Sequence, residues 1–155
     1  MSVPVQRDGA WVLSDPDGSL GDVEDKAYAV RWLPFENDKW GEVGARLSVS
    51  HLCRIYQLET AWQAFIDSFD QTHVLEPERT LEAAKRAALT WVRDDLRADI
   101  PRTKANAEYE RTDGDEQEAK YLLNDLRIMR ESLNLVSEAL SRDDLQSPAA
   151  LWGER

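Results

Sequence analysis

From residue 46 onward, apolar positions recur at helical spacing. Leu47, His51, Ile55, Leu58, Trp62, Phe65 and Phe69 step by four, four, three, four, three and four, which places them in one stripe on a helix. This predicts a first helix over 46–70, with Ser48 or Ser50 able to cap its start. A second stripe, Leu81, Ala84, Ala88, Val92 and Leu96, predicts a helix over about 78–100. Pro77 suits its first turn and Pro101 its end. A third runs through Ala119, Leu122, Leu126, Met129, Leu133, Val136 and Leu140 in three-four alternation, predicting a helix over 116–141. The spacing from Asp115 to Glu118 is that of a capping box. The polar stretch 102–117 reads as either a solvated helix or a linker.

The first 42 residues have a different pattern. "AWVL" (10–13) and "AYAVRWL" (27–33) read as short strands. In the second, Tyr28, Val30 and Trp32 alternate with Ala29 and Arg31. Between them "SDPDGSLGD" (14–22) is dense in turn formers. The expectation is therefore a mainly α fold: a helical bundle of three long amphipathic helices with a small N-terminal β-hairpin or extended cap. It forms a single domain, 1–155, divided into an aromatic-rich cap (1–44) and the bundle (45–155). The heptads on 116–141 also allow a helix partner from a second copy or another protein.

Composition changes the picture mainly through charge. The 155 residues carry 30 acids and 19 bases, a net charge of −11. Such an excess opposes direct binding to nucleic acid or to an anionic membrane surface. It is concentrated at the two ends of the chain: 9 acids against 4 bases in residues 1–42, and 12 against 7 in 103–155. The densest patch is "DGDEQE" (113–118). No apolar run reaches the roughly 20 residues of a membrane span. The N-terminus lacks the basic and apolar segments of a signal peptide, so the cytoplasm is the expected compartment. A single cysteine, Cys53, offers no internal disulfide, and no Cys/His cluster suggests zinc.

Candidate chemistry is sparse. Asp15, Asp17 and Ser19 match the first ligand positions of a calcium loop, but Leu20 and Lys26 occupy the positions that require glycine and glutamate. Asp95 and Asp99 share a helix face, interleaved with Arg93 and Arg97 as on a salt-bridged surface. Neither cluster predicts a metal site, and no cofactor is expected. His51 lies on an apolar stripe, where a core histidine is the ordinary reading. On a helix, Cys53 would point away from it.

"RLSVSH" (46–51) places an arginine five positions before that histidine. The spacing resembles the ribonuclease motif of HEPN domains, which are small helical bundles, often dimeric. The resemblance implies metal-independent RNA cleavage, with Arg46 stabilising the phosphate and His51 transferring a proton. Leu47 departs from the residue, often polar, that the family carries there, and Cys53 from the tyrosine that some members carry.

The leading expectation is a non-enzymatic acidic protein-interaction module. It would be an accessory or inhibitory subunit, in one version occupying the nucleic-acid-binding site of a basic partner. Asp113, Asp115, Glu116 and Glu118, with Trp11, Trp32 and Trp40, are the expected partner-binding residues. The alternatives are the HEPN-like ribonuclease using Arg46 and His51, and a structural homo-oligomer such as a homodimer.

Overall fold

The computed structural model describes residues 2–14, 23–37, 41–69 and 71–145. The chain begins with an antiparallel hairpin, β1 (Val3–Arg7) and β2 (Ala10–Ser14), in which Val5 faces Val12. Its turn is Asp8–Gly9, with φ of 52° and 85°. Those left-handed values suit a two-residue turn that follows the twist of the strands. Next comes a four-stranded antiparallel meander in the order β3 (Val43–Ser48), β4 (His51–Gln57), β5 (Trp62–Ser68) and β6 (Gln71–Val74). Two long helices complete the fold: α1 (Leu81–Asp113) and α2 (Glu116–Leu145). Among the described residues, no helix is long and apolar enough to cross a membrane.

This corrects the three-helix bundle. The first expected helix, 46–70, is three strands and their connections. Ala45, Leu47, Cys53, Ile55, Ala64 and Ile66 form one face of the meander and pack against Ala84, Ala88, Leu89, Val92 and Leu96 of α1 and against Val136, Ala139 and Leu140 of α2. The opposite face is also covered in part, because Leu52 packs with Leu13, Leu33 and Phe35. A strand buried on both faces loses the simple apolar–polar alternation that identifies a half-buried strand. The four-four-three steps are thus a coincidence of strand and turn lengths.

The N-terminal part is corrected as well. "AWVL" is a strand, β2, but its hairpin partner is β1. Residues 27–33 do not pair with it. They run along the outer edge of β3 instead, where Tyr28 N–H donates to the Leu47 carbonyl at 2.9 Å, and Leu33 and Gly44 exchange two backbone bonds of 2.8 Å. This covers an edge that would otherwise present unpaired backbone groups. Arg7, Ser14 and Glu36 tie the first hairpin to this segment: Arg7 Nε donates to Glu36 at 2.7 Å and Ser14 Oγ to the same carboxylate at 3.0 Å.

The helix expected over 78–100 starts at Leu81, capped by Thr80, whose Oγ1 accepts from Ala83 N–H at 3.0 Å. It does not stop at Pro101 but continues to Asp113. A helical proline costs about 3 kcal/mol through its missing donor and ring clash. Packing of α2 against buried Leu96 and Ala107 on either side offsets that cost. Residues 102–113 are therefore helix rather than linker. α2 begins where expected, with Asp115 Oδ1 accepting from Gln117 N–H at 2.8 Å.

Strands of six or seven residues span about 20 Å, whereas α1 is about 50 Å long. The sheet is matched by α1 only as far as Leu96, and beyond it Ala107 is the one buried α1 residue. There the two helices pack on each other through Ala107, Ala119 and Leu126. Of the α2 stripe, Ala119, Leu126, Val136 and Leu140 are buried within the chain, and Leu122, Met129 and Leu133 are half-buried.

Candidate functional site

Arg46 and His51 flank the β3–β4 turn and do not share a helix. Arg46 is 4% exposed, and its guanidinium is occupied by backbone. Nε donates to the Ser2 carbonyl at 2.9 Å, and Nη1 to the carbonyls of Ser48 at 3.1 Å and Val49 at 3.4 Å. It pins the N-terminus and the tight turn at once. Ser48 Oγ adds a bond from Ser50 N–H at 3.2 Å. Neither Val49 nor Ser50 has a positive φ, so this turn needs no glycine, and side-chain hydrogen bonds hold it instead.

His51 is buried and bridges sheet to helix. Its Nε2 lies 2.9 Å from Asp95 Oδ2 on α1. Its Nδ1 faces Ser50 Oγ at 3.3 Å and Ser48 Oγ at 3.5 Å. Serine, histidine and aspartate are in line, but the hydroxyl contacts are long for a hydrogen bond and Ser48 is committed to the turn. The arrangement holds the end of the hairpin against α1. The bond from His51 keeps the Asp95 carboxyl below its usual range, against the opposing effect of partial burial. Cys53, on the same face of β4 as His51, is fully buried. Burial, with a smaller contribution from Asp67, pushes its thiol up to about 12, so it is not a nucleophile at neutral pH.

Beside this bridge lies a cavity of about 360 Å³, bounded by the β3–β4 turn, the end of β5 and the facing sides of both helices. Its floor is apolar, with Leu96, Ile128 and Met129, and four carboxylates reach it: Asp25, Asp95, Asp99 and Asp125. Among the described residues, no lysine or arginine lines it. Asp25 accepts from Asn124 Nδ2 at 3.1 Å, and Asp99 has Arg102 Nε at 3.8 Å. Burial, followed by repulsion from Asp25 and Glu118, pushes the Asp125 carboxyl above its usual range. Ser132 also lines the cavity, 2% exposed, with no hydrogen-bond partner for its Oγ. Among the described residues, no three His, Cys, Asp or Glu side chains are grouped to hold a metal ion.

Among the expected partner-binding residues that are described, the acids and Trp32 lie far apart. Asp113, Asp115, Glu116 and Glu118 are all exposed at the α1–α2 turn, the end that projects past the sheet. Residues 108–118 hold six acids and one base. Tyr109, Tyr121 and Leu123 are exposed around this end, Tyr121 by 61%. Trp32 is at the other end of α1. It packs on the main core, with Lys85 Nζ 5.8 Å from its ring centre, roughly 40 Å of helix from Asp113 at about 1.5 Å per residue. Trp11 is partly exposed under the Arg31 guanidinium, 4.5 Å above its ring. Trp32 and the acidic patch therefore do not share one surface. Trp40, Asp15, Asp17 and Ser19 lie outside the described residues.

Sequence reasoning missed Asp125, Ser132 and the two tyrosines. The available signal was polar: Asp125 and Ser132 are seven residues apart on α2, two turns along one face, beside an otherwise apolar stripe. No family model, no curated protein and no solved structure matches the chain.

Proposed function

We propose that the protein is a non-enzymatic interaction module whose working surface is the projecting end of the α1–α2 hairpin. The observation that carries this reading is the end itself. It extends past the sheet, carries six acids against one base over 108–118, and exposes Tyr109, Tyr121 and Leu123 where no strand covers them. Exposed tyrosines among carboxylates suit an arginine-rich partner. Guanidinium groups pair with the acids and stack on the rings, and tyrosine is enriched where interfaces concentrate their energy. A rigid helical hairpin also presents these groups at little entropic cost.

In its finer form, the basic partner surface is one that otherwise binds nucleic acid, and the protein acts as an inhibitory or accessory subunit. A reducing compartment such as the cytoplasm suits the single buried thiol. The test is charge reversal at Asp113, Glu116 and Glu118 to lysine, leaving Asp115 to cap α2. With the partner captured by the tagged full chain, association should slow at least tenfold in the variant, and the wild-type on-rate should fall with salt. Added nucleic acid should displace the chain. An unchanged on-rate in the folded variant overturns the proposal.

A further inference from the structure

The cavity beside His51 is independent of the hairpin end, and its chemistry is specific. The two helices are antiparallel and joined at Gly114, so residues equidistant from that turn lie at about the same level. Asp125 is level with Thr103, and Ser132 with the turn between Asp95 and Asp99. Asp125 and Ser132 are seven residues apart, about 10 Å along the helix axis, with Ile128 and Met129 between them. The cavity thus has two polar ends and an apolar middle. At the outer end, Asp125 faces only like charge from Asp25 and Glu118, and no cation pairs with it among the described residues. At the inner end are the partly exposed Asp95 carboxylate, whose Oδ2 is bonded to His51, and Ser132 Oγ, a buried hydroxyl with no partner. A buried polar atom left unsatisfied is uncommon and calls for an explanation.

We infer that this cavity binds a linear aliphatic diamine or polyamine, with one ammonium at the Asp25–Asp125 rim and a second at Asp95 and Ser132. The methylene chain lies on Leu96, Ile128 and Met129. A volume of about 360 Å³ accommodates such a ligand. The absence of a three-carboxylate cluster among the described residues favours an organic cation over a metal.

Calorimetric titration of the full chain at matched ionic strength tests this. Diaminohexane and spermidine should bind saturably, one per chain. Aminohexane should bind at least tenfold more weakly, and hexanediol not at all. Asp125→Asn should weaken diaminohexane at least tenfold and Ser132→Ala several-fold. Glu131→Gln, on the α2 surface beside Arg127, should leave it unchanged. Circular dichroism of each variant confirms folding. Three results would overturn the inference: equal affinity in Asp125→Asn or in Ser132→Ala, equal binding of the monoamine, or magnesium competing at the same concentration as the diamine.

Discussion

Replacing Gly44 with alanine tests the corrected architecture by the sign of the effect alone. Gly44 is on β3, under the ring of Phe35. A Cβ built there meets Phe35 Cε2 and Cζ at 2.5 Å and the Cys53 carbonyl oxygen at 2.6 Å. The ring can tilt, but the carbonyl belongs to β4 and is held by the sheet, so the strands must part. Overpacking of this kind costs about 1–3 kcal/mol, and the upper end applies because one obstacle is backbone. In a chain of this size, about 3 kcal/mol corresponds to a fall in Tm of roughly 6–12 °C. In a connection outside the sheet, where the sequence pattern places residue 44, the same change would be neutral or stabilising by up to about 1 kcal/mol. Thermal denaturation followed by circular dichroism distinguishes the two directly. Phe35→Leu in the Gly44→Ala background should recover part of the loss, by removing the ring clash but not the carbonyl clash. A neutral or stabilising Gly44→Ala would refute the placement of Phe35 over β3, and with it the covered second face of the sheet.

Other outcomes follow from individual side chains. Arg46→Met strips donors from the carbonyls of Ser2, Ser48 and Val49 and should cost about 3 kcal/mol in urea denaturation. The same loss for a surface arginine would contradict that role. Asp95 and Asp125 should shift stability with pH in opposite directions. The lowered Asp95 contributes stability above about pH 4 that is lost as pH falls through its folded value, so Asp95→Asn lowers the neutral-pH Tm. The raised Asp125 opposes folding once pH exceeds its unfolded value, so Asp125→Asn raises the Tm, and an equal fall in both variants would defeat the argument. Cys53, with its thiol pushed up to about 12, should resist alkylation in the native chain and react on unfolding. Rapid native labelling would show that β4 opens readily.

The two helices could be read from the sequence, apart from the extension of α1 past Pro101, and the strands of the meander could not. The α2 stripe and the Asp115 cap follow local rules that the structure obeys, whereas Pro77 lies ahead of α1, which starts at Leu81 behind its Thr80 cap. The β3–β4–β5 region breaks those rules in ways that have physical causes. Its turns, at Val49–Ser50 and over 58–61, contain no glycine, proline or asparagine: Arg46 and Ser48 hold the first, and the second is closed by Leu58 N–H donating to the Ala61 carbonyl at 2.7 Å. Leu52 interrupts the alternation because Phe35 and Leu13 cover it from a part of the chain some 20 to 40 residues earlier. Asp8–Gly9 is a legible hairpin signal, while the alternation over 27–33 belongs to a segment that pairs with the edge of β3 and not with β2. Of the candidate residues, the acids at 113–118 could be located as an exposed turn. The contact of His51 with Asp95 spans 44 positions and depends on tertiary structure.

Photo-crosslinking from the hairpin end tests the central claim most directly. A photoreactive amino acid at Tyr121, on the exposed end of α2, is compared in cells with one at Leu58, exposed on the β4–β5 connection. The account predicts one discrete adduct from Tyr121. It should contain a protein with an arginine-rich surface, and it should be lost when Asp113, Glu116 and Glu118 are changed to lysine. Leu58 should give none. An adduct from Leu58 but not Tyr121, or a Tyr121 adduct that survives the charge reversal, would contradict the hairpin end as the working surface.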